Sequence, residues 1–320
     1  AWSPDGERLA TASADKTVII WDIRDPSNPC VQHILKGHND GVSCLAWSPD
    51  GNILVSSAES NIKMWYASSG HLKGTVHPGH LHSVTAIAFL SGESFMSAGM
   101  DNCMFFWDLD GKALSRWKTG PYRIVGATIT PDGKKLVAVG QAEIALPADI
   151  ANGIDGNTST LTKSERRLQI YDLVKRREEA FISQPREMTC VTVSADSKFA
   201  LVSQAPNELR LYSLEDAQLV QRYIGQKQGN HVIQNCFGGP NQSFIVSGSE
   251  DSNIYIWRRE TGALVDTLTG HTGGSVNAVA WCPSNTELFA SAGDDHTVRI
   301  WRPPTECKGP SRTFTSSLTD

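Results

Sequence analysis

The sequence predicts an all-β chain wound into a seven-bladed β-propeller, and three observations carry that prediction. The first is a rhythm of aromatic residues, each closing an apolar run: Trp21, Trp65, Trp107, Tyr171, Tyr212, Trp257 and Trp301. They stand 44, 42, 64, 41, 45 and 44 residues apart, so seven copies of one unit follow one another. The second is the alternation of apolar with small or polar residues in the runs around them, the mark of half-buried strands. The third is Pro-Asp-Gly at 4–6, 49–51 and 131–133, each time between a first and a second strand. Proline presets its backbone angle and glycine takes a positive one, which makes a hairpin turn. A small sheet of this kind cannot bury both faces alone, so the copies stack radially around a channel.

The last unit shows the plan of every blade. Gly270-His271 leads in, 275–281 is the inner strand, 282–287 turns, and 288–293 is the second strand. Asp294-Asp295 turns tightly into the third strand, 297–301. The fourth unit departs from the plan by its long interval, and residues 141–166 are expected to be a long loop between its second and third strands. Basic residues near it (Lys163, Arg166, Arg167, Lys175, Arg176, Arg177) alternate with Glu165, Glu178 and Glu179, the pattern of a solvated surface. Ala1 to Gly6 repeat Ala46 to Gly51, so the chain opens at the end of an inner strand. The expectation is a propeller over 1–304, N-terminally truncated within blade one and part of a longer protein, followed by a flexible tail over 305–320. Beyond Trp301 no clear fourth strand appears, although 312–315 has strand-forming residues. The seam between blades seven and one is expected to be left with unpaired edges.

Bulk properties exclude several classes. A net charge of −5 is the opposite of a general nucleic-acid binder's balance, and no apolar run is long enough to span a membrane. Neither nucleic acid nor membrane is expected as a partner. The seven cysteines are scattered singly, as thiols in a reducing compartment are, and place the chain in the cytoplasm or nucleus. Two glycosylation sequons, at Asn157 and Asn241, are discounted for want of a secretory signal.

The unit resembles the WD40 repeat, which gives a meaning to the polar residues that recur in it. In that repeat a histidine, a second-strand Ser or Thr, a turn Asp and the third-strand Trp form a hydrogen-bonded relay that pairs buried polar groups. The resemblance implies such relays at His80, Ser97, Asp101 and Trp107, and at His271, Ser291, Asp295 and Trp301. Blade two offers His38, Ser56 and Trp65, with Glu59 in place of Asp. Blade one offers Thr11, Asp15 and Trp21, and blade six Ser247, Asp251 and Trp257 without the histidine. Blades four and five lack the set. His, Ser and Asp also compose a hydrolase triad, but a grouping that recurs blade after blade is structural. Ser13 to Lys16 matches Ser-x-x-Lys, yet it lies on a turn without companion motifs. No metal, nucleotide or catalytic motif is present, so no catalytic residue, metal or cofactor is expected.

More specifically, 223–257, 268–281 and 291–304, with the Asn-Cys-Phe-Gly-Gly segment at 235–239, resemble the WD-repeat subunit of the GID/CTLH E3 ubiquitin ligase. Residues 9–23 and 37–55 extend the similarity, which is weakest between 112 and 222. The resemblance implies a scaffold that supports assembly and recruits substrates or regulators. Its partners would be other ligase subunits and protein substrates, with oligomerisation through an upstream helical region. Alternatives are a general WD40 scaffold in another pathway, or a cullin–RING substrate receptor on the strength of Trp21-Asp22-Ile23-Arg24. The loops that ring one mouth of the channel supply the candidate partner-binding residues. These are Asn39, Asp40, His82, Tyr122, Arg123, Arg186, His231 and Thr272, beside Leu81 and Asn230. Tyr122, Arg123 and Arg186 rank first, since Tyr and Arg are favoured interface anchors.

Overall fold

A computed structural model describes residues 1–76, 79–145, 162–229, 231–302 and 314–317. Its strands form seven antiparallel meanders, each built from strands consecutive in sequence. Blades one to seven cover 8–35, 42–75, 84–118, 123–184, 188–224, 235–268 and 276–317. First strands of successive blades lie against one another, as Val42–Trp47 does on Val84–Ser91, and so line the inside of the ring. Blade one has three strands, to which Trp2 adds a bridge opposite Leu9.

Apolar side chains from facing sheets meet in a cluster at each of the seven blade-to-blade interfaces. The last of them closes the ring. Trp2, Leu9, Ile19 and Trp21 of blade one pack on Leu288, Ala290 and Ile300 of blade seven. Trp2 Nε1 donates to the Ala280 carbonyl at 2.9 Å across the same seam. In six blades the pairing of third and fourth strands slips by one residue beside the closing aromatic, as between Phe106 and Trp107. Such a bulge sharpens the local twist and turns the outer strand away from the neighbouring blade.

The Asn-Cys-Phe-Gly-Gly segment is built into this packing. Asn235 accepts from Thr192 at 2.6 Å and donates to Ser203 at 2.7 Å, tying blade six to blade five. Gly238 lies so close under the Trp281 ring that a Cβ there would sit 1.9 Å from it.

Two expectations at the periphery need correction. Residues 141–145 and 162–166 are paired strand and not loop. The second strand of blade four is Lys135–Ala145 and the third Thr162–Asp172, with Gln141 opposite Arg166 and Ala145 opposite Thr162. Backbone pairing, once in register, extends without an apolar pattern to announce it. The rest of the expected loop, 146–161, lies outside the described residues. At the other end, Phe314–Ser317 within the tail is the fourth strand of blade seven, with Phe314 opposite Ile300 and Ser317 opposite Thr297. It supplies partners to the backbone of Thr297–Trp301, whose outer edge was expected to be bare. The remainder of the tail lies outside the described residues.

Candidate functional site

Blades three and seven each assemble four polar side chains into one chain of donors. Trp301 Nε1 meets Ser291 Oγ at 2.8 Å, Ser291 Oγ meets His271 Nε2 at 2.7 Å, and His271 Nδ1 meets Asp295 at 2.9 Å. The Asp295 carboxylate only accepts, so the imidazole hydrogen goes to it from Nδ1, Nε2 is left to accept the serine hydrogen, and the serine oxygen accepts the indole N–H. Blade three repeats the distances with Trp107, Ser97, His80 and Asp101. Burial lowers the pKa of His80 and His271 despite the adjacent aspartates, which keeps both rings neutral. Burial works against charge on Asp295 too. Bonds from His271, Thr297 and the Thr272 N–H outweigh it and hold this carboxyl well below the usual range. Ser291 is 2% exposed and its oxygen already accepts an indole N–H, so a substrate cannot reach it as a nucleophile.

The other blades hold parts of this arrangement. In blade two Ser56 joins His38 (2.7 Å) to Trp65 (2.8 Å), but Glu59 turns to Ser83 and leaves the buried His38 Nδ1 without a described partner. Burial drives the pKa of His38 down to about 4. In blade one Trp21 donates to Thr11 at 3.0 Å, while Asp15 is taken up by Thr17. Blade six departs from the expected grouping. Trp257 donates to the Ile224 carbonyl at 3.0 Å, Ser247 to the Gly248 carbonyl, and Asp251 accepts from Tyr255. Gln226 follows Gly225 where blades two, three and seven have a histidine after glycine. It is buried, and its side-chain amide has no partner among the described residues.

The expected partner-binding residues all lie just before or at the start of a first strand. Asn39, Asp40, Leu81, His82, Arg123, Arg186, His231 and Thr272 are exposed there, whereas Asn230 lies outside the described residues. Thr272 and Leu81 use their backbone N–H groups to bind the relay aspartates, and the His231 N–H binds Glu250. Tyr122, placed among the leading anchors, is instead 5% exposed. Its ring lies 4.8 Å from the Arg167 guanidinium and lines a cleft of about 350 Å³ with Trp117, Gln169 and Tyr171. A Tyr beside a strand start has an apolar ring to bury, and here the Arg167 side chain of the same blade lies over it.

Sequence reasoning missed a second polar set, where blades four and five meet at this same mouth. Arg123, Gln141, Arg166 and Gln184 stand opposite one another across the four strands of blade four. Gln184 accepts from Gln204 (3.2 Å) and Arg210 (3.1 Å) of blade five. Beside them Glu208, 2% exposed, binds Arg210 through both oxygens (3.0 and 3.2 Å), Arg186 at 3.4 Å, and Arg222. Burial raises the Glu208 pKa, but the bonds from Arg222 and Arg210 outweigh it and keep the carboxyl ionised. The one signal in the sequence was Glu208 and Arg210 two residues apart in a strand, hence on one face.

The model of the WD domain, G-beta repeat, matches residues 1–22, 29–66, 70–108, 218–258 and 262–302. The chain is 35% identical over 303 residues to the WD repeat-containing protein 26 homolog of Arabidopsis thaliana, covering 94% of this chain and 47% of that protein. It is 35% identical over 302 residues to GID complex subunit 7 of Schizosaccharomyces pombe, covering 94% and 55%. The WD repeat-containing protein 26 homolog of Drosophila melanogaster is 33% identical over 309 residues, covering 94% and 45%. The chain thus spans about half the length of these relatives.

Proposed function

We propose that this chain, which belongs to the WD40 family of G-beta repeats, is a non-catalytic scaffold subunit of a GID/CTLH-type E3 ubiquitin ligase. One observation carries the reading. The 35% identity to GID complex subunit 7 extends over 94% of the chain, through the degenerate blades as well as the regular ones. The geometry suits the role. A ring whose interfaces are all packed holds its loops in place, which lowers the ordering cost of binding a partner. The buried Ser, His and Asp groups are committed to holding turns and leave the exposed rim for recognition. In this reading the rim recruits substrates or regulators in the cytoplasm or nucleus, and ubiquitin transfer belongs to other subunits.

The test is affinity purification of the full-length protein from its own cells, followed by mass spectrometry. Recovery of RING-bearing ligase subunits in a stable complex is the expected result. Their absence from a soluble, folded preparation would overturn the reading. Recovery of a cullin with its adaptor, abolished by Arg24→Ala, would install the receptor reading in its place.

A further inference from the structure

We propose that the mouth of the blade-four/blade-five interface is a docking site for an acidic segment of a partner protein. The inference deepens the scaffold reading, on which it rests for taking the occupant to be protein. Five arginines lie at this end of the two blades: Arg186, Arg210 and Arg222 meet on Glu208, and Arg123 and Arg166 stand in the row across blade four that ends at Gln184, to which Arg210 donates. Against them stands one buried carboxylate. Glu208 has both oxygens occupied, each by two guanidinium nitrogens, so it has little further capacity as an acceptor.

What remains is donor capacity. Arg186 and Arg222 each give one nitrogen to Glu208 and have side chains 49% and 56% exposed. Arg123 is exposed and makes no ion pair or side-chain hydrogen bond with any described residue. The Nε of Arg166 is buried with no partner among the described residues, a donor withdrawn from water and left open. Glu143 and Glu187 are the exposed carboxylates nearby, too few to neutralise the five.

Guanidinium forks are suited to paired carboxylate oxygens, and here Arg210 and Glu208 hold the surrounding arginines in position before a ligand arrives. A polynucleotide is disfavoured because the chain as a whole carries −5, and repulsion along an extended phosphate backbone outweighs one local patch. A short acidic segment of a protein meets the patch alone.

The experiment is fluorescence anisotropy of this chain with a labelled peptide of alternating Glu and Ser, beside the same peptide with Gln for Glu and a labelled single-stranded oligonucleotide. Saturable binding of the Glu peptide alone is expected, weakening at least about tenfold as NaCl rises from about 0.05 to about 0.5 M. The double charge reversal Arg186→Glu/Arg222→Glu is expected to weaken it about tenfold or more, and Lys118→Glu on blade three to leave it unchanged. Arg123→Glu breaks no described side-chain hydrogen bond or ion pair, so it is expected to fold whatever the double variant does, which circular dichroism checks, and to weaken binding about threefold. Equal binding by parent and Arg123→Glu, tighter binding of the oligonucleotide, or no saturation by about 1 mM peptide would each overturn the proposal. Such a failure leaves the ligase reading intact, since co-purification tests that separately.

Discussion

Blades three and seven solve a problem that blades four and five solve differently. At the mouth of a propeller each sheet ends, its apolar packing gives way to water, and the turn between second and third strands needs anchoring. Blades three and seven anchor it within the blade, by a histidine held between serine and aspartate. Blades four and five end their third strands in Tyr171 and Tyr212, and their polar groups are joined across the interface between blades, from Gln184 to Arg210 and on to Glu208. The residues matched to the WD domain skip 109–217, where all of this second solution but Arg222 lies. An in-blade relay spends its polar groups on itself. The inter-blade network spends one carboxylate on three arginines and leaves cations facing the solvent. Degeneracy of the repeat is therefore where recognition chemistry has room to appear.

The contrast is open to direct attack. Glu208→Ala removes the one carboxylate that holds three guanidiniums and is expected to cost about 3–4 kcal/mol by chemical denaturation. Part of that loss is expected to return at high salt, because the remaining like charges are screened. A loss independent of salt would mean that packing, not charge, holds the network.

Asp295→Ala strands His271 and two N–H groups, and is expected to cost about 2–3 kcal/mol. Asp251→Ala, at the equivalent place in blade six, loses the Tyr255 hydroxyl and a long bond from the Asn253 N–H, and is expected to cost about 1 kcal/mol. Equal melting points for the two variants would break the distinction between complete and partial relays.

Acid separates blade two from the complete relays. His38 is neutral in the folded chain with a pKa of about 4 against an ordinary 6.5, so the folded state binds fewer protons between those values. Its contribution is fully present above pH 6.5 and is lost as the pH falls toward 4, at most about 3 kcal/mol in all. Stability measured across that window in His38→Gln is expected to fall less steeply than in the parent.

The smallest expected effect is a gain. Gln226→His places an imidazole after Gly225, whose φ of 128° is close to the 143° of Gly37 before His38. An imidazole bonded to Ser247 and Asp251 in place of an unpartnered buried amide is expected to raise stability by about 1 kcal/mol. A lower melting point would show that blade six cannot accept the relay even when its residues are supplied.

The repeat was legible because strand periodicity, turn residues and closing aromatics are local properties. Each is set by the backbone angles and side-chain faces of a few neighbouring residues, so seven copies could be counted and the His-Ser-Asp-Trp groupings of blades three and seven written down from spacing. Spacing gave blade six a grouping of Ser247, Asp251 and Trp257 without the histidine, but the structure turns Trp257 to the Ile224 carbonyl instead and buries Gln226 where the histidine would stand. Tyr122 looked like an anchor by residue type. Only the fold, which brings Arg167 over its ring, determines that it is covered.

By itself, then, the sequence determined the all-β class, the number of blades, the order of strands and the turns that join them. Tertiary structure decided how far the blade-four strands pair, that Phe314–Ser317 completes blade seven, and that arginines distant in sequence gather around Glu208. The reason is physical. Strand and turn preferences act over a few residues, whereas burial, charge pairing and edge completion depend on which blade stands beside which, and that is fixed only when the ring closes.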